Sequence, residues 1–246
     1  MDKTKIIIAT ILGVCFTLAF VFMGSYIYNS KKPAKTVSVV GLAEKDFVSD
    51  LIVWDLSFSA QDYNQKTAYA EIKNKAKVVK EFLADKGITA KESLFKALNT
   101  EKEYEYYYDR EAERSFSKFT GYKITQRVRI ESSDVEKVEE AYLEISDLLD
   151  KGVDVDANSP DYYYTKLSDL KIEMLAKASE DARTRAETIV KNAGGKIQGL
   201  QSANMGVFQI TAPNSSDEDY SWGGTFNTSS KAKRASINMR LTYLLK

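Results

Sequence analysis

The chain has 246 residues, with 35 basic and 35 acidic side chains, one cysteine and no histidine. The absence of histidine removes the usual general base near neutral pH and the commonest protein ligand of zinc and haem. Because Cys15 lies in an apolar stretch, the rest of the chain has no thiol for a disulfide, for nucleophilic catalysis or for an ordinary transition-metal site. Residues 36–246 hold 30 basic and 34 acidic residues, a net charge of −4, so no basic field would attract nucleic acid.

An uncharged segment of 23 residues, Ile6–Tyr28, lies near the start of the chain between two groups of lysines. As a helix it would be about 34 Å long, enough to cross a hydrocarbon core of about 30 Å. We therefore expect a membrane anchor within residues 1–30 and a short linker at 31–35. A cleaved signal peptide is the alternative, although its apolar core usually has about 7–15 residues; lipidation at Cys15 is a weaker one. The lysine count slightly favours a cytoplasmic position for the C-terminal side.

The first half of the remaining chain contains strands that alternate apolar and polar residues and a helix with apolar residues at helical spacing. In chain order, we predict a strand at Thr36–Gly41, a bend at Ala43–Asp46, a strand at Val48–Ala60, a helix from the cap Asp62 to about Lys86 with Gly87 as its stop, and strands at Leu94–Tyr108 and Phe119–Glu131. The charged residues Asp109–Lys118 between the last two strands predict an exposed hairpin end.

The second half predicts further helices and strands. In chain order, these are a helix from Ser133 or Asp134 to about Leu149, a loop that runs into a strand at Lys151–Lys166, a long helix at Ser168–Ala193 with Gly194 as its stop, a strand at Lys196–Ala212, a polar hairpin end at Pro213–Ser230 and a strand at Lys233–Leu245. The order of helix, glycine stop, strand, polar hairpin end and strand occurs at 62–131 and again at 168–245, which suggests two related halves.

Three stretches carry a family resemblance. They are Val37–Gly41 followed by Ala43-Glu44 and Ser49-Asp50, the helix Leu175–Ala186 leading into Ala193–Ile197, and the end of the last strand, Met239–Tyr243. In this order and spacing they resemble the SIMPL domain family, also called domain of unknown function 541, over about residues 36–246. The Asp181–Ala186 segment is the most specific, whereas Ser49-Asp50 stands where the family commonly has Pro-Asp.

The resemblance implies an α+β fold in which a mixed, mainly antiparallel sheet packs with two to three helices behind one transmembrane helix. It also implies an exported or envelope-associated bacterial protein. We therefore expect an inner-membrane anchor with the domain facing the periplasm, or a periplasmic protein after signal cleavage. Family members are similar to proteins that form homo-oligomers and have been linked to envelope stress. The family has no agreed activity, so the resemblance supplies no catalytic residue, cofactor or metal.

Clustered aromatic residues are the candidate contact sites. Tyr104, Tyr106, Tyr107 and Tyr108 interleave with acidic residues, and such rings bind sugars or protein partners through apolar area and a polar tip. Tyrosine equally suits a strand with one wet face, which is the simpler interpretation. Near the last hairpin end, Phe208, Trp222 and Phe226 predict an apolar tip for contact between subunits.

Acidic pairs are weaker candidates. Asp154 with Asp156, or the run Asp217–Asp219, would suit calcium or a glycosidase pair, but neither matches an EF-hand loop, and solvated loop charge explains both. We therefore predict no catalytic, cofactor or metal residues. The preferred function is a non-enzymatic, membrane-anchored envelope protein that acts through self-association or binding of an envelope protein or glycan, with a role in stress tolerance. The alternatives are a carbohydrate- or peptide-binding module that uses the tyrosines and a carboxylate-dependent hydrolase.

Overall fold

The computed structural model describes residues 3–30, 35–109, 114–213 and 223–246; for residues 3–10, 27–30 and 109 it describes the backbone alone. The described residues form five helices and two sheets. The helices are α1 (Lys3–Ser30), α2 (Gln65–Asp85), α3 (Val135–Leu143), α4 (Asp147–Asp150) and α5 (Leu167–Asn192). The strands are β1 (Thr36–Val48), β2 (Leu51–Asp62), β3 (Ser93–Phe95), β4 (Asn99–Asp109), β5 (Arg114–Ser132), β6 (Val155–Ala157), β7 (Asp161–Tyr163), β8 (Ile197–Met205), β9 (Gln209–Thr211) and β10 (Ala232–Leu245). The predicted α+β class with mainly antiparallel strands is confirmed.

The N-terminal helix α1 covers the segment that the sequence predicts as an anchor. Its residues 11–26, whose side chains are described, are all exposed. In the part of the chain that the structure describes, no helix is both long and apolar enough to cross a membrane. The membrane role of Ile6–Tyr28 therefore stays a prediction, and residues 31–34 of the predicted linker lie outside the described residues.

The first sheet has four strands, with β10 between β1 and β8 and with β9 also paired to β10. Strand β8 is antiparallel to β10, from Met205 opposite Met239 to Ile197 opposite Leu245. The chain divides into two compact units, and the first comprises Met1–Gly41, Ser179–Met205 and Met239–Lys246. The apolar core of this first unit consists of Val39, Ala182, Ala186, Leu241 and Tyr243. The two fully buried alanines, Ala182 and Ala186, allow α5 to lie close to the strands.

The second unit comprises Leu42–Ala178 and Gly206–Asn238 and contains the six-stranded sheet, in the order β3-β5-β2-β6. Strand β4 also pairs with β5, and β7 with β2. Strands β2 and β5 are antiparallel without a register shift, from Ile52 opposite Ser132 to Asp62 opposite Tyr122. Alternate residues of both strands face α2 and α3 and build the core. Its fully buried members include Ile52, Trp54, Ile72, Val79, Val128, Ile130 and Val138.

Two local predictions near the start of the domain are wrong. Residues Ala43–Asp46 form no bend, because β1 continues through them to Val48 with alternating burial. Ion pairs hold this part of β1, from Lys45 to Glu173 at 2.6 Å and from Asp46 to Arg234 at 2.6 Å. The helix α2 is capped by Asn64, whose side chain accepts from Lys66 N, whereas Asp62 accepts from the backbone N–H of Asn64. The two ion pairs depend on partners far along the chain, which the local sequence of β1 does not contain, whereas the cap is local.

Several predicted elements are subdivided in the structure. The predicted strand Leu94–Tyr108 is two strands, β3 and β4, and the predicted hairpin end Asp109–Lys118 already belongs to β5 from Arg114 onward. The predicted helix to Leu149 is interrupted between α3 and α4 by a tight turn of i→i+3 hydrogen bonds, such as Leu148 N to Ile145 O. The same apolar face continues through this turn, so the spacing of apolar residues does not reveal it.

The remaining differences concern short strands. The segment Lys151–Lys166, predicted as a loop that runs into one strand, contains two short strands, β6 and β7, both of which pair with β2. The predicted strand Lys196–Ala212 is divided into β8 and β9 around Gly206, whose Cβ position would lie 3.0 Å from the carbonyl oxygen of Asn238. One mainly antiparallel sheet with two to three helices was therefore too simple a prediction for the described residues.

Candidate interaction surface on the β4–β5 ribbon

Strand β4 and the first part of β5 form a two-stranded ribbon, which we define as residues 103–109 and 114–121 and call the aromatic ribbon. Strand β5 pairs with β2 only from Tyr122 onward, so the ribbon has no third strand among the described residues. A two-stranded ribbon is at best marginally stable by itself in water. Its cross-strand aromatic pairs, Tyr104 with Phe119 and Tyr107 with Phe116, therefore add to its local stability.

Gly121 sets the position at which the ribbon leaves the sheet. Its φ of +137° is rarely adopted by residues with a side chain, and an added Cβ would lie 2.8 Å from the carbonyl oxygen of Asp62. The pairing of β4 and β5 shifts register next to this point, between Glu103 and Tyr104. Such bulges bend a strand pair and increase its twist, so Gly121 and the register shift together set the direction in which the ribbon leaves the sheet.

One face of the ribbon carries three tyrosines. Side chains alternate along a strand, and Tyr104, Tyr106 and Tyr108 lie on the same face, with exposed fractions of 41%, 75% and 60%. Their partners across the strand pair are Phe119, Ser117 and Ser115, so this face carries no charge. We call these six residues the tyrosine face.

The base of the tyrosine face is a cluster of rings around Phe119. Tyr104 meets Phe119 edge-on with ring centroids 5.6 Å apart, and Tyr122 and Tyr63 contact the same ring at 5.3 and 6.2 Å. Edge-to-face pairs of this kind contribute about 0.5–1.5 kcal/mol each beyond the buried area. The cluster therefore fixes Tyr104, whereas Tyr106 and Tyr108 lie further along the ribbon and are more exposed.

Tyr107 lies on the opposite face of the ribbon. It stacks on Phe116 across the strand pair, with centroids 5.6 Å apart and an interplanar angle of 20°. On this face Glu105 also stands opposite Lys118. The four predicted tyrosines are therefore divided, three on an uncharged face and one in a stacked pair beside opposite charges.

The other predicted contact residues lie elsewhere. Phe226 stacks on Tyr163 at 6.3 Å, and Lys233 Nζ lies 5.9 Å from its ring centroid, so Phe226 is tied to its own unit. Phe208 has Lys171 Nζ at 5.5 Å from its ring. Trp222 lies outside the described residues, as do Asp217–Asp219.

Several charged groups that the sequence analysis did not single out are held by tertiary contacts. Glu92 accepts hydrogen bonds from Lys137, Ser132 and Thr89, and these donors lower its pKa to about 2. Burial and then a hydrogen bond to Glu139 raise the pKa of Tyr162 to about 12. Lys233 is fully buried and donates to the carbonyl oxygen of Asn227. No local pattern predicts the pairs of Glu92 with Lys137 and of Tyr162 with Glu139, because these partners lie in distant elements.

A metal site finds no support in the described residues, where no group of three acidic, cysteine or histidine side chains is placed to hold an ion. Asp156 lies in β6 and Asp154 directly precedes it, and both residues are exposed. The hydrolase alternative stays a prediction.

These features define an α+β protein of two compact units with an exposed aromatic ribbon. The family model described as SIMPL, protein of unknown function (DUF541), matches residues 37–239. The chain therefore belongs to the SIMPL family, and the predicted family resemblance is confirmed. No curated protein matches the chain significantly. Because the function of the family is unknown, the match supplies a class and no activity.

Proposed function

We propose that this SIMPL protein is a non-enzymatic, membrane-anchored envelope protein that acts by self-association through its aromatic ribbon. The carrying observation is the tyrosine face on a ribbon that extends past the six-stranded sheet. Tyrosine is enriched in protein interfaces because a large, rigid ring buries apolar area while its hydroxyl stays hydrogen-bonded.

A second copy of the chain is the occupant that the chemistry of this face favours. The three tyrosines and the opposing Phe119, Ser117 and Ser115 carry no charge, so two copies approach without like-charge repulsion. A twofold contact places the same patch of one subunit on the same patch of the other. Packing two such faces together would also supply the burial that an isolated ribbon lacks.

The anchor in this proposal is the uncharged segment Ile6–Tyr28 of α1. Tethering copies to one membrane raises their effective concentration, so a weak ribbon contact is sufficient for assembly. The envelope location, the periplasmic side and the role in stress tolerance rest on the family resemblance alone.

Light scattering of the full chain in detergent micelles tests the association. The wild type should show a protein mass that rises with concentration, and Tyr106→Ser with Tyr108→Ser should keep it monomeric. The matched control is Tyr69→Ser, which removes an exposed tyrosine on α2 outside the ribbon. A wild-type mass that stays monomeric at all concentrations, or equal effects of both changes, would contradict the proposal.

Cell fractionation tests the anchor separately. The full chain should stay in the membrane pellet after an alkaline wash, and deletion of residues 1–35 should release it. A mature N-terminus beyond residue 28 would instead identify a cleaved signal peptide. Protease treatment of intact cells would show on which side of the membrane the domain lies. A domain that is protected in intact cells but cleaved when the protease reaches the cytoplasm would contradict export.

A glycan-binding module is the second candidate, because Tyr104, Tyr106 and Tyr108 repeat every second residue, about 7 Å apart along the strand. Such a row presents successive rings to successive sugars. A peptidoglycan pull-down that the ribbon double variant abolishes, with a monomeric wild type, would favour this candidate over self-association.

A further inference from the structure

The face of the six-stranded sheet away from α2 and α3 carries a polar groove in the second unit. One lobe is a cavity of about 360 Å³ lined by Asp55, Leu56, Ser57, Lys96, Arg127, Asp156 and Asn158. The other is a cavity of about 390 Å³ lined by Lys96, Ala97, Asn99, Glu101, Lys123, Thr125 and Arg127. Lys96 and Arg127 belong to both lobes, and each volume lies within the range of about 300–1,000 Å³ typical of ligand pockets.

Strand register explains the shape of the first lobe. Ser57 in the central strand stands opposite Arg127 on one side and Asp156 on the other. Neighbouring strands lie about 4.8 Å apart, so the backbones of Arg127 and Asp156 stand roughly 10 Å apart across a small serine. The serine forms a floor, and the charged side chains form walls. In the second lobe, Thr125 stands opposite Asn99 on one side and Ser59 on the other.

Three charged side chains of the groove, those of Lys96, Arg127 and Asp156, are not used by the fold. Two residues along β2 from Ser57, Asp55 stands opposite Arg129, and these two side chains form an ion pair at 3.3 Å. Among residues 35–109, 114–213 and 223–246, by contrast, the side chains of Lys96, Arg127 and Asp156 have no hydrogen-bond or ion-pair partner. The groove thus combines two cations, Lys96 and Arg127, at its middle with three carboxylates, a third cation and neutral polar groups toward its ends.

We propose that this groove binds a short acidic oligosaccharide, with one sugar carboxylate held by Lys96 and Arg127. A guanidinium binds a carboxylate through two parallel hydrogen bonds, and the lysine adds a second positive charge. Sugar hydroxyls donate and accept, which matches Ser57, Asp156 and Asn158 in one lobe and Asn99, Glu101 and Thr125 in the other.

The site is separate from the tyrosine face, and its binding does not depend on ribbon association. Isothermal titration calorimetry of the full chain in non-ionic micelles tests it with trigalacturonate and a hyaluronan tetrasaccharide. At least one of these should bind, and maltotriose and chitotriose, which lack the carboxylate, should bind at least tenfold more weakly. Arg127→Gln should weaken the acidic ligand at least tenfold, and Lys96→Gln at least threefold.

Two control proteins separate the groove from general charge and from the ribbon. Lys77→Gln removes one exposed positive charge on α2 and should leave the affinity within twofold. The double variant Tyr106→Ser, Tyr108→Ser should also bind normally, so failure of the proposed self-association would not affect this result. Both Arg127 and Lys96 are exposed, and an unchanged melting temperature would verify that their variants fold.

Three outcomes would overturn the proposal. The first is that neither acidic oligosaccharide binds the wild type. The second is that Lys77→Gln weakens binding as much as Arg127→Gln. The third is that monomeric galacturonate binds as tightly as the trimer. The last result would mean that the cations take any carboxylate and that the two lobes do not hold a sugar chain.

Discussion

At the scale of single residues, Glu92 connects three elements of the second unit. Its carboxylate accepts from Lys137 Nζ at 2.8 Å on α3, from the hydroxyl of Ser132 at the end of β5, and from Thr89 in the loop after α2. The ion pair and these hydrogen bonds favour the charged form, so the pKa falls to about 2. A group whose pKa is lowered in the folded state stabilises the fold at pH values above its unfolded pKa.

Acidification should therefore remove the contribution of Glu92 between about pH 4.5 and pH 2. At pH 7, Glu92→Gln should lower the free energy of unfolding by on the order of 2 kcal/mol, and the difference from wild type should shrink toward pH 2.5. Urea denaturation at several pH values measures both effects. The control is Glu81→Gln, which removes the exposed ion pair of Glu81 with Lys77 at 3.8 Å and should change the free energy of unfolding by less than about 0.5 kcal/mol. If Glu92→Gln lowered the free energy of unfolding by the same amount at every pH, the low pKa of Glu92 would not be the cause.

Gly121 is the second residue with a specific steric role. Gly121→Ala combines an unfavourable φ with a Cβ that would lie 2.8 Å from a backbone oxygen, so we expect a loss of about 2–4 kcal/mol. Gly152→Ala provides the control, because Gly152 has φ +79° but no atom within 4 Å of the added Cβ, and it should cost about 1 kcal/mol. Thermal denaturation compares the two variants. Equal losses would mean that the approach to Asp62 does not constrain the ribbon.

At the scale of elements, α5 shows how one helix face is built. Residues at every fourth position, Leu170, Met174, Ala178, Ala182, Ala186 and Val190, are all buried. Side chains four apart lie on one face of a helix, so this series forms its inner stripe. Large residues occupy its two ends and alanines its middle, where Ala182 and Ala186 contact Val39, Leu241 and Tyr243.

Enlarging the middle of that stripe should destabilise the protein. Ala186→Leu adds volume to a fully buried position and should lower the free energy of unfolding by about 1–3 kcal/mol. Ala176→Leu, the same change at an exposed position of α5, should alter it by less than about 0.5 kcal/mol. Urea denaturation of both variants is the measurement. If Ala186→Leu is as stable as the control, the helix does not lie as close to the strands as the alanines imply.

At the scale of the whole molecule, the absence of histidine has a consequence for pH dependence. The described groups with the largest pKa changes lie far from neutrality, with Glu92 and Glu173 at about 2 and Tyr162 at about 12. The pKa of Glu173 is lowered by its pairs with Lys45 and Lys177. Few groups therefore change charge on folding between pH 6 and 8.

Stability should accordingly be constant across neutral pH. The free energy of unfolding at pH 6, 7 and 8 should agree within about 0.5 kcal/mol at constant ionic strength. Chemical denaturation in matched buffers measures it. A larger slope would show that a buried group exchanges a proton on folding, and Lys233→Met would test the buried lysine among the described residues.

Much of the element order follows from the sequence, because alternation and helical spacing are local properties. The apolar residues Ile52, Trp54 and Leu56 predict the buried face of β2, and the stripe of α5 predicts its length to within about a residue at each end. Alternation also separates Tyr107 from Tyr104, Tyr106 and Tyr108. The alternation of residues 104–108 is thus sufficient to predict two faces of the ribbon, but not which partners each face meets.

What only the tertiary structure decided is the set of contacts between residues far apart in the chain. The continuation of β1 through Ala43–Asp46 needs Glu173 and Arg234, and the low pKa of Glu92 needs Lys137. The groove needs Arg127, Ser57 and Asp156 in one row across three strands. The sequence by itself determined the family, the apolar N-terminal segment and most elements, since backbone geometry makes those patterns local. Strand register and long-range charge pairing come from burial of the shared core, and so they appear only when the whole chain has folded.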